Sequence, residues 1–252
     1  DAFGAEAEGV ALWTCPDGSG YWLAVDQLAP LTIFHLFDRV TLEPRAQIAH
    51  WNPAEQRLTV YHSCQAPHMM QDLYGRQFDL PASAIRVVCK DVGGSFGIKV
   101  HAYPDDFATV ALSLLLGRPV KFVADRLESF TSDIHARHHR VKARIAVRRD
   151  GEILGFDMHD LTGIGPYSMF PRTSAIEGNQ VVNLVGGPYR HKHYRARLDV
   201  VFQNKTPTCQ YRGVGHPIAC AVTEGLVDLA ARRLGMDPLE LRKRNVIPDG
   251  AY

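Results

Sequence analysis

An apolar run, Val87-Val88-Cys89, gives way within a few residues to Gly93-Gly94-Ser95-Phe96-Gly97 and then to a cation, Lys99. Glycines around one Ser-Phe pair let the backbone enter positive φ and approach another group without Cβ clashes. Successive amide N–H groups of such a loop can converge on an anion or a carbonyl-rich ligand. A bare turn after a strand has the same composition, so a structural turn and a ligand cradle both stand open. A nucleotide phosphate loop is a third reading. It needs a magnesium-holding Ser or Thr beside the lysine, and Ile98 and Val100 flank Lys99 instead.

The pattern around the loop is that of an α+β chain with mixed sheets and packed helices. Arg57 to Ser63 alternates β-branched and aromatic residues, a strand that delivers Gln65 at its end. Pro67 suits the first turn of a helix through about Phe78, with Met69, Leu73 and Gln77 along one stripe and Met69 and Met70 as core fillers. Pro104 opens another helix, in which Phe107, Val110, Ala111, Leu114 and Leu115 recur at helical spacing before Gly117 and Pro119 close it. Val120 to Ala124 is a short strand. Val141, Ala143, Ile145 and Val147 alternate with Lys142, Arg144 and Arg148, and Asp150-Gly151 turns the chain into a return strand from Ile153 to Leu161. The basic residues of this hairpin read as a solvated sheet face.

From 163 to 194 little periodicity survives, and a long irregular segment is expected; such segments in compact domains tend to be functional. A strand over Arg195 to Phe202 follows. A long helix then starts at Pro217, its stripe running through Ile218, Val222, Leu226 and Leu229 to Gly235, and Asp237-Pro238-Leu239-Glu240 caps a short last helix. Residues 1–37, with the turn cluster Pro16-Asp17-Gly18-Ser19-Gly20, sustain neither period and stay unassigned; 38–252 read as one domain or two lobes.

With 28 Lys+Arg against 27 Asp+Glu, the net charge of +1 gives no electrostatic case for nucleic acid or an anionic membrane. No apolar run reaches the ~18 residues of a membrane span. Cys15, Cys64, Cys89, Cys209 and Cys220 are odd in number and form no Cys-x-x-Cys. That argues against a disulfide scaffold, a zinc ribbon and an iron–sulfur ligand set on this chain, and makes a reducing, cytoplasmic compartment the default. His135, His138, His139, His191 and His193 invite a metal reading, but no His-Glu-x-x-His is present, His139 starts a strand, and no metal ligand set is expected.

The glycine loop has company. Upstream stands Ser63-Cys64-Gln65-Ala66-Pro67-His68; downstream come Gly117-Arg118-Pro119-Val120-Lys121, Asp125-Arg126-x-Glu128-Ser129-Phe130, His135-x-Arg137, Asp150-Gly151-x-Ile153-Leu154-Gly155 and Tyr211-Arg212-Gly213-Val214-Gly215-His216-Pro217. In this order and spacing they resemble the first molybdenum-cofactor-binding domain of the xanthine dehydrogenase and aldehyde oxidoreductase family. The likeness is nearest to the branch that includes carbon monoxide dehydrogenase large subunits, and runs from about Glu43 to Val246. Glu43-Pro44-Arg45 matches a motif near that domain's start, and reads on its own as a surface turn with an ion pair.

The resemblance implies molybdenum held by the dithiolene of a pyranopterin, so the protein supplies hydrogen-bond donors and close-approach glycines rather than metal ligands. It implies that Gln65, Gly93, Gly94, Ser95, Phe96, Gly97, Arg212 and Gly213 bind this cofactor, that Gln65 and Arg212 serve catalysis, and that Val100 and Val214 line the substrate pocket. Purine-oxidising members carry a glutamate at Val100 and an aromatic at Val214, and carbon monoxide dehydrogenases a cysteine at Gly213, with Cys209 no substitute; neither substrate is expected. The bland alternatives are a helix-capping Gln65 and an Arg212 in a structural ion pair. The family's reaction, hydroxylation of an aldehyde or heterocycle carbon with water-derived oxygen, needs a glutamate base that sits in a later domain, and Glu224 and Glu240 are poor stand-ins. A second molybdopterin-binding half, an iron–sulfur subunit and a flavin subunit carrying FAD are the implied partners, without which the chain would be inactive. Asp1 and Tyr252 as chain ends fit a cropped or naturally split subunit. The rival expectation is a non-catalytic remnant or excised module that binds no cofactor.

Overall fold

The computed structural model describes the backbone at 7–14, 20–28 and 31–38 and the whole chain from 45 to 250. Two compact units result, Asp1–Asp133 and Ile134–Tyr252.

In the first unit β1 (Ala7–Thr14), β2 (Gly20–Leu28) and β3 (Leu31–Asp38) form an antiparallel meander where the sequence pattern sustained no strand period. The turn cluster at 16–19 lies outside the described residues. Then come β4 (Ala46–Asn52), β5 (Arg57–His62), α1 (Pro67–Phe78), β6 (Ile85–Val88), α2 (Pro104–Leu116), β7 (Val120–Val123) and α3 (Arg126–Ser132). The second sheet has the order β6-β5-β4-β7, with β5 and β6 parallel and the other pairs antiparallel. Leu58, Val60, Met70, Tyr74 and Val110 make its core between sheet and helices.

The expected elements are present, but their buried faces are turned by one residue. α1 buries Met70 and Tyr74, while Met69 and Leu73 pack only partly and Gln77 is exposed. α2 buries Asp106, Thr109, Val110 and Ser113 and leaves Leu115 81% exposed, so its inner stripe is largely polar. The reason is hydrogen bonding. Asp106 accepts from the Tyr103 amide at 2.9 Å, its backbone carbonyl accepts from Gln47 Nε2 at 2.6 Å, and Ser113 Oγ accepts from the Trp51 amide at 2.9 Å. Buried polar groups are tolerated only when paired, and these are. α3 was not foreseen, although Asp125 and Glu128 form a reciprocal capping box at its start.

Arg45 corrects a second expectation. It is no surface residue: 3% exposed, it donates to Asp105 at 2.8 and 2.7 Å, to Asp133 at 2.5 Å and to Ser132 at 3.1 Å, with its guanidinium 3.8 Å from the Tyr103 ring centroid. Burial opposes its charge, but the hydrogen bond to Asp105 and both carboxylate charges outweigh that and raise its pKa. One planar fork thereby ties the start of β4 to the first turn of α2 and the end of α3. Replacing Arg45 with Ala leaves the Asp133 carboxylate, 5% exposed, without its cation and with only its hydrogen bond to Ser129. We expect a loss of about 3–5 kcal/mol, read as a lower urea midpoint, with Arg45→Lys recovering only part of it.

In the second unit β8 (His139–Val147) and β9 (Ile153–Gly163) form the expected hairpin, and β10 (His193–Val201) joins β9 in parallel, giving the order β10-β9-β8. α4 (Ile176–Leu184), α5 (His216–Leu234) and α6 (Pro238–Asn245) pack with Ile153, Phe156, Met158, Val181, Val227 and Leu241 in one core. α4 lies inside the stretch expected to be irregular. Its sequence, with a glycine and several β-branched residues, carries little helix propensity, and tertiary packing forms it: a Cβ on Gly178 would come within 2.6 Å of Leu198 Cδ1 and 2.8 Å of Thr162 Oγ1. α5 buries Ala219, Thr223, Val227, Ala230 and Ala231, a face of small residues next to the expected stripe, with Leu229 47% exposed. On the sheet's other residues, Asp157 takes Arg144 and Arg195 from the flanking strands, so the basic face is solvated yet laced by ion pairs. Among the described residues Cys64, Cys89, Cys209 and Cys220 are free thiols, no cluster of metal-ligating side chains forms, and no helix is long and apolar enough to cross a membrane.

Candidate functional site

In the first unit the parallel register of β5 and β6, with Tyr61 opposite Val88, brings both strands' C-terminal ends out at one edge. Ligands of mixed sheets are commonly met at such edges. The chain leaving β5 passes through Ser63-Cys64-Gln65 before α1, and the chain leaving β6 enters the glycine loop. They join: the Gln65 amide donates to the Lys99 carbonyl at 2.9 Å, Ser95 Oγ donates to Gln65 Oε1, and Cys89 Sγ donates to the Cys64 carbonyl at 3.0 Å. Gln65 therefore does not cap α1, whose N-terminus has no side-chain cap.

The loop is held in left-handed backbone. Gly94 has φ 153°, Phe96 49° and Gly97 100°. A Cβ on Gly94 would lie 2.4 Å from the Phe96 ring, which is why glycine stands there. Ile98 N–H turns back to the Ser95 carbonyl at 2.9 Å, whereas the amides of Gly94, Ser95 and Gly97 have no acceptor among the described residues, and Gly93 is exposed beside them. Lys99 is buried, and Val100 closes the short helical turn that follows. Cys89 also lines an open cleft of about 670 Å³ with Arg57, His68, Gln71 and Arg86; none of the residues expected to bind cofactor, serve catalysis or line the substrate pocket faces it.

In the second unit the Tyr211–Gly215 loop leads into α5 and has its own clamp. Arg137 Nε donates to the Val214 carbonyl at 3.0 Å, and Nη2 donates to the Tyr211 carbonyl at 3.2 Å and to the Arg212 carbonyl. Gly213, Val214 and Arg137 all have positive φ, 80°, 48° and 47°. For a β-branched residue such as Val214 that is a genuine outlier, and such strain persists only where surrounding contacts impose it. Gly215 presses on α4: a Cβ there would lie 2.6 Å from both the Glu177 carbonyl and the Val181 amide. Arg212 and Gly213 are exposed on this loop. Cys209 is fully buried, burial raises its thiol pKa, and its Sγ donates to Gln210 Oε1 at 2.6 Å.

One group of functional interest was missed in the sequence. His139 Nδ1 meets Asp160 Oδ2 at 2.8 Å and its Nε2 lies 3.4 Å from Glu177 Oε2; Glu177 Oε1 in turn lies 3.4 Å from Arg137 Nε. All but Arg137 are almost wholly buried, with side chains 4%, 0% and 2% exposed for His139, Asp160 and Glu177. The signal was available. His139 shares the inward parity of Val141 and Ala143, and Asp160 that of Phe156 and Met158, so the alternation itself places both inside.

Residues 34–246 match the molybdopterin cofactor-binding domain family, and the chain belongs to it. It is similar to the 6-hydroxypseudooxynicotine dehydrogenase complex subunit gamma of Paenarthrobacter nicotinovorans, 32% identical over 208 residues that make up 82% of this chain and 26% of that one. The carbon monoxide dehydrogenase large chain of Hydrogenophaga pseudoflava is 31% identical over 244 residues, 91% of this chain and 30% of that one. Among solved structures, quinoline 2-oxidoreductase from Pseudomonas putida 86 superposes with a TM-score of 0.79 at 30% identity, covering 98% of this chain and 29% of that one. The chain thus spans between a quarter and a third of the length of these relatives.

Burial lowers the proton affinity of His139, but its contacts with Asp160 and Glu177 outweigh this and lift its pKa to about 9 from an ordinary 6.5. A raised pKa stabilises the fold fully below the unfolded value and loses that contribution as pH climbs through the folded one. Stability should therefore fall by about 3 kcal/mol between pH 6.5 and 9 relative to His139→Gln, in which that part of the pH dependence vanishes. Urea midpoints of both proteins across that range measure it.

Proposed function

We propose that this chain forms one half of a molybdopterin pocket in a molybdenum hydroxylase that oxidises a carbon of an N-heterocycle or aldehyde with oxygen from water. The observation that carries the reading is the left-handed loop beside Gln65, whose Gly94, Ser95 and Gly97 amides have no acceptor among the described residues. A molybdopterin is an acceptor these donors would fit, and family membership supports that choice. The cofactor, when bound, supplies the two-electron oxidation; the protein supplies donors, orientation and charge. Gly93, Gly94, Ser95, Phe96 and Gly97 give backbone N–H groups and the room for a close approach, since Gly94 and Gly97 hold conformations a side chain would oppose.

Gln65 acts as a neutral donor. Its Oε1 is occupied by the Ser95 hydroxyl, so the amide's orientation is set and its NH2 remains to donate. A neutral amide adds no charge against an anionic group. Arg212 offers a guanidinium from a loop whose backbone Arg137 has fixed, which suits polarising a carbonyl or holding negative charge, and Gly213 gives close access next to it. Val100 and Val214 are the substrate-facing positions, and their aliphatic side chains favour a simple heterocycle or aldehyde over a purine. The names of relatives that act on quinoline and 6-hydroxypseudooxynicotine support a heterocycle.

The base that deprotonates the attacking water comes from the second molybdopterin-binding half, and electrons leave through iron–sulfur and FAD groups on partner subunits; the relatives' names, a subunit gamma of a complex and a large chain, support such an assembly. In the cytoplasm this assembly would be a hetero-oligomer.

Metal and pterin analysis of the assembly purified from its native host tests the reading. Stoichiometric molybdenum is expected, together with a glutamate-bearing second half; Gln65→Ala should keep the metal within about twofold while lowering kcat by about 10²-fold, and Gly94→Val should lower metal content itself. A chain that folds and purifies without molybdenum or pterin would overturn it and leave a non-catalytic module.

A further inference from the structure

We propose that His139 is a positioning residue for the Arg212 loop: as a cation between Asp160 and Glu177 it holds Glu177 against Arg137, and Arg137 holds the loop's carbonyls. Nothing in the proposed reaction uses His139, Asp160 or Glu177, yet all lie behind the loop that does. Arg137 reaches three successive parts of it, the carbonyls of Tyr211, Arg212 and Val214. The Glu177 backbone also lies close to this loop, its carbonyl 2.6 Å from where a Cβ on Gly215 would stand, and the Gly215 amide donates to Gln180 Oε1 at 3.2 Å.

The linkage is electrostatic. His139 Nε2 and Glu177 Oε1 have no hydrogen-bond partner, and the two 3.4 Å contacts that join His139 to Glu177 and Glu177 to Arg137 are ionic contacts. The Asp160 side is hydrogen-bonded instead, Thr162 Oγ1 meeting Asp160 Oδ2 and His139 Nδ1 at 3.0 Å each. Two carboxylates, one arginine and one histidine sum to zero charge only while His139 is protonated. Deprotonation leaves a net negative charge in a dry site, where it is least tolerated, and Glu177 can relieve it only by moving toward water. Two further groups face Glu177. Lys205 has a pKa lowered by burial against that carboxylate's pull, and the Cys209 thiol is held neutral by burial. Lys205 is the cation that could share in the titration, and it forms no ion pair with Asp160 or Glu177 among the described residues.

The inference rests on the proposed function for what the loop is for, and not for how it is held. Hydrogen exchange of the 252-residue chain, corrected for the intrinsic pH dependence, follows opening of the 211–216 amides, including Val214 N–H to the Tyr211 carbonyl and His216 N–H to the Gly213 carbonyl. In the wild type, opening should be flat to about pH 8 and rise at least tenfold by pH 10, while β9 and α5 stay protected. Asp160→Asn should move the step to lower pH, Lys205→Met should leave it in place, and His139→Gln should open the loop at pH 7 with no further step. A flat wild-type profile, or a step that moves with Lys205→Met and not with Asp160→Asn, overturns the proposal. Should His139→Gln fail to fold, the wild-type and Asp160→Asn profiles still decide. None of these readouts involves the cofactor, so normal molybdenum content in Arg212→Ala would sink the loop's cofactor role and leave its positioning by His139 intact.

Discussion

Each unit depends on an arginine, Arg45 buried and Arg137 half-buried, whose donors are met from several directions at once. A guanidinium has a planar fork of donors and cannot shed its proton, so when it is taken from water it must be met by carboxylates or carbonyls in fixed positions. Arg45 is met by carboxylates and fastens three elements, of which α2 turns a largely polar face inward. Arg137 is met mostly by carbonyls, and what it fastens is a loop rather than a helix. The difference matters. Carboxylates give stability, whereas carbonyls gathered on one cation give a backbone shape that side-chain packing could not impose.

That shape is where sequence and chemistry meet. Phe96, Arg137 and Val214 are non-glycine residues with positive φ, and all three lie in or directly against the loops named for ligand contact. Each costs conformational energy that neighbouring contacts must repay. In the first unit Phe96 repays it by lying on Gly94, in the second Val214 by the clamp on its carbonyl. Among the described residues the other non-glycine positive φ angles fall at a helix end and a hairpin turn, where local geometry explains them.

Much of this was legible. Pro67, Pro104, Gly117 and Gly235 marked helix ends correctly because caps and proline starts act through local backbone geometry, which one sequence contains in full. The strand-loop-helix frame around Gln65 and the hairpin at Asp150-Gly151 followed from period-two alternation. What failed did so for a common reason. The helix stripes were drawn through the most apolar residues, yet α2 faces its sheet with Asp106, Thr109 and Ser113, and α5 with alanines. α4 has no local signature at all and exists because its glycine admits Leu198 and Thr162. Tertiary partners, which a single sequence does not display, chose these faces.

The missed charge cluster shows a different limit. Its members were visible one at a time: a histidine opening a strand, an aspartate in a hydrophobic alternation, a glutamate in a segment without pattern. Each alone is most simply a surface residue. Parity places His139 and Asp160 inward, and an inward charge needs a partner of opposite sign. Taken together, the alternation of β8 and β9 places His139, opposite Thr162, and Asp160, opposite Val141, on the same inward face, diagonal to one another across the register. Glu177 is the member no strand pattern supplies, because α4 brings it, and it is also the member that turns a buried pair into a link with Arg137 and the Arg212 loop.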